Sequence, residues 1–297
     1  MTNDKEQLAM ERLRTASMMS LKLYKQPLLL TDSGGKDSAV ICRLAENAGI
    51  PFEIVHSHTT ADAPETVYLV RRRAKEFESK GIKYTIKMPT YKGERTSMWD
   101  LIIKTGVPPT RTMRYCCSIL KETAGKGRFV VTGVRWAESN KRAANRGTFE
   151  VLPSNLKKKF ILNNDNEEER MLFENCQMKG KRICNPIVDW SDRDVWDYLQ
   201  DQKVETNPLY CEGFERVGCI GCPLAAKKAR YLMFARYPRY ERNYIETFGR
   251  MLEYTLAIGK KRNSWNDKME VFHWWMEDGV LPGQTDMFDE MEIYNED

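Results

Sequence analysis

Pro27-Leu28-Leu29-Leu30, then Thr31-Asp32, then Ser33-Gly34-Gly35-Lys36-Asp37-Ser38 run directly into the helix-patterned Ala39-Val40-Ile41-Cys42-Arg43-Leu44-Ala45. A strand, a tight glycine turn and a helix start in that order build a phosphate cradle. The paired glycines let backbone amides approach an anion with no Cβ in the way, and the helix N-terminus adds partial positive charge at the same point. Ser33 and Ser38 can donate further hydrogen bonds. The spacing is not that of the Walker loop, which puts four residues between its first glycine and Gly-Lys-Ser/Thr. An ordinary Gly-Gly turn is the plainer alternative, but all six positions and both flanking elements agree on the cradle.

Working outward, Leu8, Met10, Leu13, Met18, Met19 and Leu21 recur at roughly helical spacing and predict an amphipathic helix over 5–24, packed on the sheet edge. Strands are expected near 27–32, at 52–56, at 84–86 and at 129–133, with helices near 37–48, 64–80 and 96–105 between them. Strands alternating with helices imply right-handed crossovers and a parallel sheet. Such sheets bind ligands beyond the carboxyl ends of their strands, so the glycine loop, the segment after His56 and the segment after Gly133 should converge. The regular pattern breaks down over 145–185, where Lys157-Lys158-Lys159 and the acidic 163–170 stretch read as a polar, mobile insertion. Ser191 then reads as the N-cap of a short helix carrying Val195, Trp196, Tyr198 and Leu199. Residues 224–276 are helical in pattern, and their aromatic residues, Tyr231, Phe234, Tyr237, Tyr240, Tyr244 and Phe248, read as core rather than as a base-stacking platform. The acidic tail from Gln284 is expected to fray. The expected organisation is an N-terminal helix (1–24), a nucleotide-binding domain (25–230) and a helical appendage with the tail (231–297).

At 297 residues the chain can bury a full core. It has no apolar run near the about 18 residues of a membrane span and no signal-peptide pattern at Met1-Thr2-Asn3-Asp4-Lys5-Glu6, so a cytosolic protein without membrane partners is expected. Its eight cysteines would be kept reduced there, which makes clustered ones candidates for metal or catalytic sites. The net charge of +5 is a mild bias toward anionic ligands.

Cys219-Ile220-Gly221-Cys222 is a CxxC whose glycine lets the chain turn around a metal. Cys211 lies eight residues upstream and the pair Cys116-Cys117 about a hundred residues earlier. Four converging thiolates would select an iron–sulfur cluster or zinc. Cys42 reads as core, and Cys176 with Cys184 as a second candidate pair. A third group is basic: Arg111, Arg114 and Lys121 bracket Cys116, and Gly133-Val134-Arg135-Trp136-Ala137-Glu138-Ser139 continues to Lys141 and Arg142. Arginine forks suit phosphate or sulfate oxygens, so this reads as the wall of a nucleotide or oxyanion site, with surface ion pairs as the alternative.

The loop resembles the SGGxDS pyrophosphate loop of ATP pyrophosphatases. Residues 25 to about 230 resemble the phosphoadenosine phosphosulfate (PAPS) reductase family, within the adenine-nucleotide α-hydrolase fold. The resemblance implies an α/β, Rossmann-like doubly wound parallel sheet, with a helical C-terminal appendage. Tyr115-Cys116-Cys117-Ser118-Ile119-Leu120-Lys121 is similar to the CCxxxK element of adenylylsulfate reductases, which implies a [4Fe–4S] cluster on Cys116, Cys117, Cys219 and Cys222. A further likeness, to the sulfur-transfer ATPase of DNA phosphorothioation systems, rests on Arg114-Tyr115-Cys116, the GxRxAES run at 133–139 and the PIxDWSxxDVWxYL run at 186–199. By that likeness Cys211 replaces Cys117, and the two choices stay open. Ser57-His58-Thr59-Thr60-Ala61-Asp62-Ala63-Pro64-Glu65-Thr66 resembles the family's adenosine-side loop, with His58 read as structural rather than as a base.

Reductases of the family attack sulfur with a cysteine in a C-terminal ECGLH motif, and no cysteine follows Cys222 here. The expectation is therefore ATP chemistry. ATP with Mg²⁺ is bound by Ser33, Gly34, Gly35, Lys36, Asp37, Ser38, Ser57, His58, Gly133 and Arg135. Asp37 and Ser38 orient metal and β-phosphate, and Lys36 neutralises charge. Arg135 and Arg142 grip the acceptor side, where Arg111, Arg114, Lys121 and Glu138 also belong. Two other classes remain: a PAPS or adenylylsulfate reductase, and a non-catalytic nucleotide or nucleic-acid binding module with structural zinc. A sulfur-donor protein and nucleic acid are partners compatible with the first reading.

Overall fold

The computed structural model describes residues 2–121, 123–125, 127–153, 160–163, 180–259 and 265–277. The chain divides into two compact units that are discontinuous in sequence. The first comprises Met1–His58, Pro64–Lys87 and Thr123–Val217, and the second Thr59–Ala63, Met88–Glu122 and Gly218–Asp297.

The first unit is built on a seven-stranded, mostly parallel sheet. Its strands are β1 (Leu28–Thr31), β2 (Phe52–Ser57), β3 (Tyr84–Lys87), β6 (Phe129–Val131), β7 (Phe149–Pro153), β8 (Phe160–Leu162) and β9 (Gly180–Cys184). Their order is β3-β2-β1-β6-β9-β7-β8. β1, β2, β3, β6 and β9 are parallel, and β7 runs antiparallel between β9 and β8. Apolar runs such as Leu28-Leu29-Leu30 and Phe129-Val130-Val131 are buried, as strands covered on both faces must be. The order reverses between β1 and β6, so the loops after these two strands diverge and leave a crevice at their carboxyl ends.

The flanking helices are α1 (Thr2–Tyr24), α2 (Lys36–Asn47), α3 (Pro64–Ser79), α6 (Asn140–Asn145) and α7 (Asp192–Asp201). The main core joins Leu13, Val40, Ile41, Leu44, Val70, Phe77, Trp190 and Tyr198 with the strands. α7 starts as its sequence requires, with Ser191 and Asp194 forming a reciprocal capping box. Two expectations are corrected. α1 does not sit on the sheet edge: it packs against β1, β6 and β9, inside the sheet, and Arg12 is tied to both oxygens of Asp189 at 2.8 and 3.1 Å. The stretch read as a mobile insertion contributes β7, β8 and β9, three strands of the same sheet. Residues 154–159, with the lysine run, and 164–179, with most of the acidic stretch and Cys176, lie outside the described residues.

The second unit contains the hairpin β4 (Thr90–Tyr91) and β5 (Glu94–Arg95), α4 (Met98–Thr105) and the six-residue α5 (Tyr115–Leu120). The remaining helices are α8 (Lys227–Arg236), α9 (Pro238–Ala257) and α10 (Lys268–Met276). Phe234, Tyr237, Tyr244 and Phe248 are buried as core, with Phe272 and Trp275, while Tyr231 is exposed. Among the described residues no helix is long and apolar enough to cross a membrane. The acidic tail lies outside the described residues.

Candidate functional site

The glycine loop hangs from Asp32, the residue after β1. Its carboxylate accepts from the Gly34 amide at 2.7 Å, the Ser38 hydroxyl at 2.8 Å, the Tyr84 phenol at 2.8 Å and the Arg73 guanidinium at 3.1 Å. Burial pushes this carboxyl up, but Arg73, the Gly34 amide and the two hydroxyls outweigh it and hold it below its ordinary value. Gly34 has φ +74°, and a Cβ there would stand 2.6 Å from Thr66 Cγ2, so the turn admits only glycine without displacement. His56 from β2 holds the Asp32 carbonyl through Nδ1 at 2.8 Å.

α2 begins at Lys36 with Gly35 as an N-cap that offers no side-chain hydrogen bond. The Lys36 ammonium is 3.3 Å from Asp192 Oδ1. Arg135, 1% exposed, reaches Asp37 Oδ1 through Nε at 2.6 Å, Asp192 Oδ1 through one terminal nitrogen at 2.7 Å and the Trp190 carbonyl through the other at 3.2 Å. Burial works against the Arg135 charge, and the Asp37 and Asp192 carboxylates more than restore it. The guanidinium is thus occupied in fixing Asp37 and α7. Gly133 lies against the same turn: a Cβ on it would be 2.9 Å from the Asp37 carbonyl carbon. Gly133, after β6, thus comes against the glycine loop that follows β1.

A further wall was not read from the sequence. Asn207, fully buried, donates to the Gly34 carbonyl at 3.2 Å and to Thr66 Oγ1 at 2.9 Å, and the Tyr210 hydroxyl accepts from the Lys36 amide at 2.9 Å. Asp32 and Arg73 were missed too. The available signal was a carboxylate beside a glycine pair; nothing local marks its partners.

Of the other expected residues, Ser57 ends β2 and pairs in register with Lys87. The His58 amide donates to the Lys87 carbonyl at 3.0 Å, and its ring centroid is 6.4 Å from that of His56. Arg142 is ion-paired with Glu138 one turn away. Cys42 is buried in the core as expected, and Cys184 is buried at the end of β9. Cys211 also belongs to this unit, exposed directly after the turn Pro208–Tyr210.

Arg111, Arg114 and Lys121 belong to the second unit, together with Cys116, Cys117, Cys219 and Cys222. α5 carries the cysteine pair. Cys219 bridges Asp62 through the backbone and donates to Thr59 Oγ1 at 3.3 Å. Gly221 turns the CxxC with φ +71°; a Cβ would meet Phe234 Cζ at 2.7 Å, so the aromatic core sets the path of this turn. The sulfurs of Cys116, Cys117, Cys219 and Cys222 share one electrostatic neighbourhood. A hydrogen bond from Cys116 lowers the Cys117 thiol against the effect of burial, with help from Arg114 and Lys121, while Cys116 is raised by the same bond and by burial. Charges of Cys219, Asp62 and Cys222 raise Lys121.

An uncharacterised protein of Methanocaldococcus jannaschii is 30% identical over 255 residues, covering 81% of this chain and 54% of that protein. The chain thus spans about half the length of this curated relative. An adenosine 5'-phosphosulfate reductase of Neisseria meningitidis is 40% identical over 59 residues, 20% of this chain and 24% of the reductase. The crystal structure of the phosphoadenylyl-sulfate reductase of Candida auris in a phosphate complex aligns with TM-score 0.48 and 21% identity, over 71% of this chain and 87% of that one. The family model of the phosphoadenosine phosphosulfate reductase domain matches residues 27–225, from β1 through the loop, Gly133 and the CxxC, and the chain belongs to that family.

Proposed function

We propose that this family member is an ATP pyrophosphatase that splits ATP between its α and β phosphates to activate an acceptor for sulfur transfer. The observation that carries this reading is the pairing at the start of α2. Arg135 holds one oxygen of Asp37 at 2.6 Å, while the other oxygen has no protein partner among the described residues, on a side chain 25% exposed. A carboxylate with one oxygen left over, beside a helix N-terminus and a lysine, suits a metal-bound polyphosphate. Mg²⁺ there would supply charge neutralisation between Asp37 and the phosphates. The chain's own residues do the rest. The loop amides and Lys36 hold the β- and γ-phosphates, and Ser33 and Ser38 add hydroxyl donors. An acceptor oxygen bonds to the α-phosphorus as the bond to the bridging oxygen breaks, and pyrophosphate leaves with that oxygen. Cys116, Cys117, Cys219 and Cys222 would hold a [4Fe–4S] cluster, whose demand for thiolate donors these four neighbouring sulfurs meet.

The local likeness to an adenosine 5'-phosphosulfate reductase supports a second reading, reduction of a sulfonucleotide. One experiment separates the two. Anaerobically prepared full-length protein is given Mg-ATP, and separately adenylylsulfate with a dithiol reductant. Pyrophosphate and AMP products are expected from ATP; ADP with orthophosphate would contradict the proposal, and sulfite release without pyrophosphate would establish the second reading.

A further inference from the structure

The segment 205–210 is pinned to the glycine loop. Arg73, which also holds Asp32, donates to the Glu205 carbonyl at 2.9 Å. Asn207 ties Gly34 to Thr66 and caps the turn Pro208–Tyr210 by accepting from the Leu209 amide at 3.1 Å. Leu209 is fully buried. Tyr210 is therefore delivered to the loop from a fixed base, and its ring stands edge-on to Trp196 with centroids 5.1 Å apart. Its hydroxyl reaches over the loop: a Cβ on Gly35 would lie 3.3 Å from it, and the Lys36 ammonium is 5.8 Å from the ring centroid. The hydroxyl oxygen accepts from the Lys36 amide at 2.9 Å. A phenol that accepts there still has one proton to give, and no acceptor among the described residues takes it.

We propose that Tyr210 is a phosphate-binding residue of the loop, donating its hydroxyl proton to the pyrophosphate portion of the bound nucleotide while the Lys36 amide fixes its oxygen. This rests on the nucleotide reading above and adds a donor to it from a separate part of the chain. Burial, opposed by the Lys36 amide, pushes the phenol up to about 12, so it remains a donor throughout the neutral range. The competing reading of the same contact is a plug: the hydroxyl would occupy the Lys36 amide in place of a phosphate oxygen, and its removal would tighten binding.

The test is calorimetric titration of the full chain and Tyr210→Phe with three probes: α,β-methylene ATP with Mg²⁺, inorganic pyrophosphate with Mg²⁺, and AMP. Tyr210→Phe keeps the ring on Trp196 and removes only the hydroxyl. The expected result is about tenfold weaker binding of both polyphosphate probes, AMP affinity unchanged and the thermal midpoint unchanged. Equal or tighter binding of pyrophosphate by Tyr210→Phe overturns the inference. So does a parallel loss of AMP affinity and thermal stability, which marks a structural role. If the unaltered chain binds neither polyphosphate, the nucleotide reading falls and the inference with it; if it binds both and the variant matches it, only the inference falls.

Discussion

Asp32 is 2% exposed and charged, a placement that costs several kcal/mol unless its partners are in place. Arg73, Tyr84, Ser38 and the Gly34 amide are those partners, so the residue that shapes the loop is also one on which stability depends. Asp32→Asn leaves Arg73 buried and unpaired, and the expected loss is about 3–5 kcal/mol in denaturant unfolding at pH 7. The sign of its pH dependence follows from the depressed carboxyl. The contribution is fully present above the ordinary value of 3.8 and is lost as pH falls through the lower folded value. The stability gap between the chain and Asp32→Asn should therefore be flat from pH 7 to about 5 and narrow only below about 4; a gap that closes by pH 6 would show that Asp32 is not the group held charged. Arg135 makes a different case. The sequence placed it on the acceptor, yet its guanidinium is engaged with Asp37, Asp192 and the Trp190 carbonyl. Arg135→Ala and Asp37→Ala should each lower kcat/KM for ATP at least tenfold, through the same lost geometry, and the double variant should be little worse than Asp37→Ala alone. Additive losses would return Arg135 to an independent role.

At the scale of elements, Gly133 is where the segment after β6 meets the backbone of α2. Its hypothetical Cβ contacts backbone, 2.9 Å from the Asp37 carbonyl carbon, and backbone at a helix start cannot turn aside as a side-chain tip can. Gly133→Ala should push α2 away from β6 and weaken polyphosphate binding by about tenfold or more, whereas Gly93→Ala, at a φ of +88° with open space around it, should cost stability alone. Equal polyphosphate affinity in both variants would show that the joint does not set the loop. The β1–loop–α2 unit was legible because its signals are contiguous: apolar run, glycine pair, apolar helix face. The strands β7 and β9 were not, because their polar residues read as solvated. Glu150 is fully buried, accepting from the Gly147 amide at 3.2 Å and the Asn185 amide at 2.8 Å, and Arg182 is 2% exposed. Composition cannot distinguish a polar side chain satisfied inside a sheet from one in water when a partner, such as Asn185 for Glu150, lies more than thirty residues away. The Arg12–Asp189 pair, 177 residues apart, hid the seat of α1 in the same way.

For the whole molecule, the two units interleave: Thr59–Ala63 and Met88–Glu122 join the chain from Gly218 onward. A reading that moves along the chain expects contiguous domains and has no local signal for such exchanges. It did single out the cysteines of the proposed thiol set, since cysteines announce themselves by identity. It left the fourth ligand open, because one resemblance implies Cys117 and the other Cys211. The chain places Cys117 in the unit of Cys116, Cys219 and Cys222 and places Cys211, exposed, in the other. This sets the last prediction. Anaerobically prepared protein should be brown with about four irons per chain, and Cys219→Ser should bleach it, because loss of one thiolate of the CxxC pair leaves an iron without its ligand. Cys117→Ser should lower iron content comparably, while Cys211→Ser should leave iron and absorbance unchanged. Chelation of the cluster should lower the thermal midpoint of the unaltered chain, since a centre bound only in the folded state contributes its binding energy to folding. A colourless protein with one zinc would exclude the cluster but keep the thiol site. Bleaching by Cys211→Ser with a brown Cys117→Ser protein would instead assign the fourth ligand to Cys211.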